Sequence, residues 1–142
     1  MKLLQATQLG KYTLKNSMVM APMTRSRANF DGTINDSAST YYTQRAGAGL
    51  IISEAINISQ EAIGSPLTPG IYTPAQVSAW KKVTQEVHAA GGLIFAQLWH
   101  TGRVGHSLVK NGALPVAPSA IAIPQQQHFT MEGMKDYEFH VY

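Results

Sequence analysis

The chain has 142 residues, 11 Lys+Arg against 8 Asp+Glu for a formal charge of +3, and no Cys. Its hydrophobic fraction of 44% and charged fraction of 13%, against ~45–50% and ~25% in ordinary globular chains, exclude a disordered chain and point to extensive burial. The absence of Cys excludes a disulfide scaffold, a thiolate zinc site and thiol catalysis.

The cations are scattered, with Arg25/Arg27 and Lys81/Lys82 the densest pairs, which speaks against nucleic-acid binding. No apolar run approaches the ~18 residues of a membrane span, and the segment from Met1 to Gly10 has no secretory h-region. A cytoplasmic location is the expectation, since a chain without Cys fits a reducing compartment.

Alternation around Gly10, from Leu9 to Asn16, predicts a small hairpin. The apolar run Ser17–Ala21 predicts a strand buried on both faces, ended by Pro22. A polar stretch with the turn pair Asp31-Gly32 leads to a helix capped by Asp36 or Ser37 and running to about Ala46. Its inner face is Ala38, Tyr41, Tyr42, Arg45 and Ala46, and Gly47 and Gly49 stop it. Leu50–Ile56 is a second buried strand, followed by a loop from Asn57 to Tyr72. Thr73 as N-cap, Pro74 at the first position and Gln76 completing a capping box predict the clearest helix. Val77, Trp80, Val83, Val87 and Ala90 form its apolar face, and Gly91-Gly92 closes it. Leu93–Leu98 is a third buried strand. Pro115, Pro118, Pro124 and Gln125–Gln127 mark a loop.

Strand–helix–strand–helix–strand, with long loops after the strands and short ones after the helices, predicts an α/β parallel array with function on one rim. Two and a half βα units cannot close a barrel of about 250 residues, and an open sheet would expose bare edges. The chain is therefore expected to be part of something larger. Three clusters converge on the rim: Pro22–Arg25, Ser53–Ala55 and Gln97–His100. The Thr24 hydroxyl, the Gln97 amide and the flat Trp99 wall suit a heteroaromatic ligand with edge carbonyls and ring nitrogens. The structural alternative has Thr24 end a strand, Gln97 satisfy loop backbone and Trp99 lie in the core.

The stretches Leu14–Arg25, Ala48–Ala55 and Ala96–Arg103 resemble the Old Yellow Enzyme family of FMN-dependent ene-reductases, of the N-ethylmaleimide reductase type. The resemblance runs from about Leu9 to Tyr137 and implies the N-terminal portion of a (β/α)8 TIM barrel. That portion would hold about three parallel strands, two helices and an N-terminal hairpin in one partial FMN-binding domain over 1–142. By this resemblance Pro22, Met23 and Thr24 lie against the flavin, with Thr24 donating to the C4 oxygen of the ring. Ala55 meets the same ring edge with its backbone, Gln97 bonds the pyrimidine edge, and Trp99 walls the substrate pocket. The cofactors implied are FMN and NAD(P)H. The implied chemistry passes hydride from NAD(P)H to FMN and on to the β-carbon of an activated alkene: an unsaturated carbonyl, a maleimide or a nitro compound.

The family's His-x-x-His or His-x-x-Asn substrate anchor occurs nowhere in the sequence, and Phe139–Tyr142 do not continue the resemblance. A truncated product of a frameshifted, split or cut gene is expected, binding FMN poorly without the family's phosphate loops. An alternative is a catalytically inactive fragment that acts as an assembly module, as a homo-oligomer or with a complementing C-terminal chain. His88, His100 and His106 lack a metal-ligand pattern. Glu54 is expected to pair with a cation, Arg25 being the candidate. Met18, Met20 and Met23 are expected in the core, apart from the flavin contact of Met23.

Overall fold

The computed structural model describes residues 2–139. Met1, His140, Val141 and Tyr142 lie outside them, so of the stretch Phe139–Tyr142 read as not continuing the resemblance only Phe139 is described. A hairpin comes first: β1 (Thr7–Leu9) and β2 (Tyr12–Leu14) pair antiparallel, with Leu9 opposite Tyr12. It sits two residues earlier than the 9–16 reading. Gly10, with a φ of +55°, makes the turn, and Asn16 is used elsewhere. The Asn16 amide donates to the Gly47 carbonyl at 2.9 Å and its side-chain oxygen accepts from the Met18 N–H at 3.1 Å.

Three parallel strands follow in the spatial order β3 (Val19–Met20), β4 (Leu50–Asn57), β5 (Ile94–Trp99). Helices α1 (Ser37–Thr43) and α2 (Pro74–Ala89) carry the chain between them. The predicted order and the long–short asymmetry of the loops are both present. Gly49, six residues past the end of α1, is required by close approach: a Cβ there would lie 2.0 Å from the Asn16 carbonyl oxygen.

The core lies between the helices and one face of the sheet. It comprises Ile34, Ala38, Tyr42, Ile51, Ile56, Trp80, Val83 and Val87. Burial of each large apolar side chain contributes about 1.5–3 kcal/mol. Helix α2 begins as read: Thr73 Oγ1 accepts from the Gln76 N–H at 3.2 Å, and Gln76 Oε1 accepts from the Thr73 N–H at 3.1 Å. The buried Gln76 also donates to the Asp31 carbonyl at 3.1 Å, so the cap ties α2 to the loop after β3.

Several expectations are corrected. β3 is only two residues long, and neither β3 nor β5 is buried on both faces. Val19 is 52% exposed and Leu98 58%, because among the described residues only β4 has a strand on each side. Met18 and Met23 are likewise exposed, whereas the half-buried Met20 packs against the core as expected. Helix α1 stops at Thr43, short of Ala46. The Lys15 ammonium takes the Ala46 carbonyl, and also that of Gly91 at 2.9 Å, so one cation serves the exits of both helices. Asp36 makes no capping bond; Asn35 Oδ1 accepts from the Ser37 N–H at 3.0 Å instead. Ala90 is exposed, beyond the apolar stripe of α2.

The segment read as loop up to Gln127 gives way to a hairpin, β6 (Gln127–Thr130) with β7 (Gly133–Asp136). Its His128 and Thr130 point inward while Phe129 and Met134 stay exposed. Among the described residues no helix is long and apolar enough to cross a membrane, and no cluster of His, Cys, Asp or Glu could hold a metal ion.

Replacing Thr73 by Ala removes the acceptor of the α2 cap. The expected loss is about 1 kcal/mol, a fall of roughly 3–4 °C in the thermal midpoint for a chain of this size. An unchanged midpoint in calorimetry would show that the box does not hold the helix.

Candidate functional site

The rim at the C-terminal ends of β3, β4 and β5 is shaped by an irregularity in β4. Ile52 lies opposite Phe95 and Ala55 opposite Gln97, so three steps on β4 match two on β5. One extra residue is accommodated at Ser53–Glu54, a β-bulge. The Ser53 hydroxyl repairs the ladder there: it accepts from the Gln97 N–H at 3.1 Å and donates to the Glu54 carbonyl at 2.7 Å. Ser53 and Ile56 both face α2, lining a small cavity of about 60 Å³ with Trp80, Ile94 and Ala96. Glu54 and Ala55 occupy the displaced positions between them.

Glu54 is buried at 1% side-chain exposure and is met by the Arg25 guanidinium. Nη2 lies 2.6 Å and Nε 2.8 Å from Oε1. The Arg25 backbone N–H approaches Oε2 at 3.4 Å. Tyr42 closes the group: its hydroxyl accepts from the Glu54 N–H at 2.8 Å and donates to Oε1 at 3.3 Å. Arg25 also lies over the Tyr41 ring, 4.3 Å from its centroid, an arrangement favourable to a guanidinium. Burial first, and the neighbouring Glu54 charge after it, push the Tyr42 phenol above its ordinary pKa, so it stays a neutral hydrogen-bonding group. The expected Arg25–Glu54 pair is present, and Glu54 is fully engaged rather than free to act as a base.

Pro22, Met23 and Thr24 lie on the exposed segment between β3 and Arg25. Ala55 is 2% exposed, directly after Glu54. Gln97 is half-buried opposite Ala55, and Trp99 half-buried opposite Asn57. Thr24 and Ala55 are each one residue from a partner of the ion pair, and Gln97 is in register with Ala55, so the chain brings the three to one rim. Phe95, Gln97 and Trp99 share a face of β5 by alternation, and Tyr12 packs edge-on to Phe95, 5.3 Å between centroids. The first hairpin thereby lies beside the opposite end of that face. The side chains of Thr24 and Gln97 make no hydrogen bond to another described residue; the bond of Gln97 to Ser53 is through its backbone.

Sequence reasoning missed the roles of Ser53, Tyr42 and Asn57. Tyr42 was legible as an inner-face residue but not as a phenol bonded to a strand carboxylate. Nothing in the sequence marks a bulge at Ser53, and Asn57 reads as the first residue of a loop.

Residues 2–139 match the family described as NADH:flavin oxidoreductase / NADH oxidase. The chain belongs to this family. It is similar to the solved old yellow enzyme homologue from Zymomonas mobilis: 51% identity, TM-score 0.93, covering 98% of this chain and 39% of that one. Morphinone reductase, solved in complex with tetrahydroNAD, is 46% identical with a TM-score of 0.88, over 97% of this chain and 39% of that one. A flavin oxidoreductase of Emericella nidulans is 46% identical over 121 residues, 82% of this chain and 31% of that protein. The chain thus spans 31% to 39% of the length of these three relatives. Its three-stranded parallel sheet is the N-terminal portion of the family's TIM barrel.

Arg25→Ala leaves the Glu54 charge buried without its partner. A loss of about 3–5 kcal/mol is expected, read as the midpoint shift in urea unfolding. A loss below about 1 kcal/mol, the size of a surface pair, would contradict the account. The raised Tyr42 pKa gives a second expectation. The folded state favours the protonated phenol, so its contribution is complete below about pH 10, the ordinary tyrosine value, and is lost as pH rises beyond it. Tyr42 should ionise only as the chain unfolds. Reversible ionisation of all 6 tyrosines with the folded circular dichroism intact would contradict this.

Proposed function

We propose that this chain forms the flavin-contacting N-terminal part of an FMN-dependent NAD(P)H oxidoreductase that reduces activated C=C bonds of unsaturated carbonyls, maleimides or nitro compounds. The observation that carries the reading is the donor set at the rim. The Thr24 hydroxyl and the Gln97 amide have no partner among the described residues, and the small Ala55 lies opposite Gln97 in the sheet, next to the Glu54 that holds Arg25. A flat ring with carbonyls and nitrogens along one edge fits that chemistry, and a bulkier side chain at 55 would keep such a ring from the strand.

Bound FMN supplies two-electron hydride transfer from NAD(P)H to the activated alkene. The residues of this chain do the holding and tuning. Thr24 aims a hydroxyl donor at the ring's carbonyl edge, where reduction develops negative charge, and a preorganised donor there favours the reduced form. Gln97 offers donor and acceptor to the pyrimidine edge. Pro22 and Met23 give apolar contact to the ring. Trp99 walls the space for a small electrophilic alkene. A cytoplasmic setting, where reduced nicotinamide is abundant, belongs to the same reading.

A second reading, an assembly module pairing with a partner chain or with itself, draws on the exposed edge residues Val19 and Leu98. Reconstitution separates the two. The chain is mixed with FMN, alone and with the remaining barrel of a family member supplied as a second chain. NADPH and cyclohexenone are then added. The enzyme reading expects a bound yellow chromophore that NADPH bleaches and cyclohexenone restores. In that complex Thr24→Ala should lower the midpoint potential by on the order of 30 mV, the equivalent of about one hydrogen bond for a two-electron couple. A defined, flavin-free oligomer in both mixtures would favour the assembly reading instead.

A further inference from the structure

We propose that Asn57 is a positioning residue that locks the Trp99 indole in one orientation and so sets the width of the substrate space. The part about substrate rests on the reading of Trp99 given above. Asn57 ends β4, is 0% exposed and lies opposite Trp99 in the sheet register. Its Oδ1 accepts the indole N–H at 2.6 Å.

The direction of the Asn57 amide is decided by its surroundings. Its Nδ2 faces three oxygens: the Pro69 carbonyl at 3.0 Å, Thr68 Oγ1 at 3.0 Å and the Thr68 carbonyl at 3.3 Å. Turned over, the amide would set its oxygen against those three and its NH2 against the indole N–H, so only one assignment is satisfied. The residue itself is held by its backbone. Its N–H donates to the Pro69 carbonyl at 2.8 Å, and its carbonyl accepts from Ile71 at 3.0 Å. The acceptor offered to Trp99 is therefore fixed in both place and direction.

Trp99 has little else to hold it. It is half-buried and ends β5, a sheet edge among the described residues. A half-exposed aromatic side chain in that setting has several staggered rotamers open to it. Leaving the observed one would strip the buried Asn57 Oδ1 of its only donor among the described residues. That penalty falls on the rotated state and disfavours it roughly tenfold or more. The wall is thus stiff because a buried acceptor on the next strand needs its N–H.

The test uses the full chain and requires no flavin, so its failure is separate from failure of the flavin reading. The two indole N–H groups, of Trp80 and Trp99, are followed by amide-type hydrogen exchange in nitrogen-15 spectra and assigned with Trp99→Phe. Trp80 is an internal control, since its N–H donates to the Gly70 carbonyl at 3.2 Å rather than to Asn57. In the unmutated chain the Trp99 N–H should exchange far more slowly than free indole despite its half-exposed ring. Asn57→Ala should speed Trp99 exchange about tenfold or more and leave Trp80 unchanged. Exchange of Trp99 at the free-indole rate in the unmutated chain overturns the proposal, even if no variant folds. Equal acceleration of both indoles in Asn57→Ala also overturns it, because that is loosening of the scaffold.

Discussion

The buried contact between Arg25 and Glu54 is the constraint from which the rim follows. β3 pairs with β4 over only two residues. Pro22 has no N–H with which to extend that ladder, so Ala21–Thr24 has no strand neighbour to fix it. What fixes it is the next residue. The Arg25 fork grips a carboxylate on β4, and its backbone N–H reaches the other oxygen of the same group. A carboxylate this deeply buried is tolerated only when paired and fully hydrogen-bonded. Tyr42 supplies the remaining partner from α1, joining the helix layer, the central strand and the polar loop through one group. The exposed Pro22–Thr24 segment is thereby held between a two-residue strand and an ion pair.

The bulge in β4 complements that grip. A regular strand would alternate strictly between its two faces, and the residue opposite Gln97 would be the one after Phe95's partner by two, Glu54. The extra residue advances the register so that the small Ala55 takes that place while Glu54 is freed to meet Arg25. The Ser53 hydroxyl stands in for the ladder acceptor displaced by the shift. A single inserted residue thus separates the structural carboxylate from the small side chain at the rim. The same strand ends in Asn57, whose fully satisfied amide sets the last side chain of β5.

Much of the scaffold was legible because local and long-range signals agree. Thr73, Pro74 and Gln76 fix the start of α2 by chemistry that needs no tertiary partner, and Trp80, Val83 and Val87 face the core as their spacing requires. The continuous run of β4 reads as a doubly covered strand and is one. The same reasoning fails for β3 and β5, whose apolar runs are identical in kind but which have no strand on their outer sides among the described residues. Composition reports what a strand is suited to, while exposure depends on its neighbours. The end of α1 was illegible because the chain after Thr43 goes on in tighter turns, with the Arg45 and Ala46 N–H groups donating to carbonyls three residues back, and β6–β7 because its residues are mostly polar. Of the candidate site, the convergence of Pro22–Arg25, Ser53–Ala55 and Gln97–His100 on one rim was legible from strand order, and only the flavin roles came through family motifs. The Arg25–Glu54 pair could be guessed from charge, but the bulge and the Asn57–Trp99 bond left no mark in the sequence.

The central claim is that Thr24, Ala55 and Gln97 act on the edge of one planar ring. Adding FMN to the isotopically labelled chain paired with the remaining barrel of a family member, and mapping the perturbed nuclear magnetic resonance signals, addresses it directly. The account predicts that the Thr24 and Ala55 backbone amides and the Gln97 side-chain amide shift together, with a common saturation curve. It is contradicted if those three stay still while the shifts gather around the separate 240 Å³ groove lined by Phe30, Leu108 and Met131.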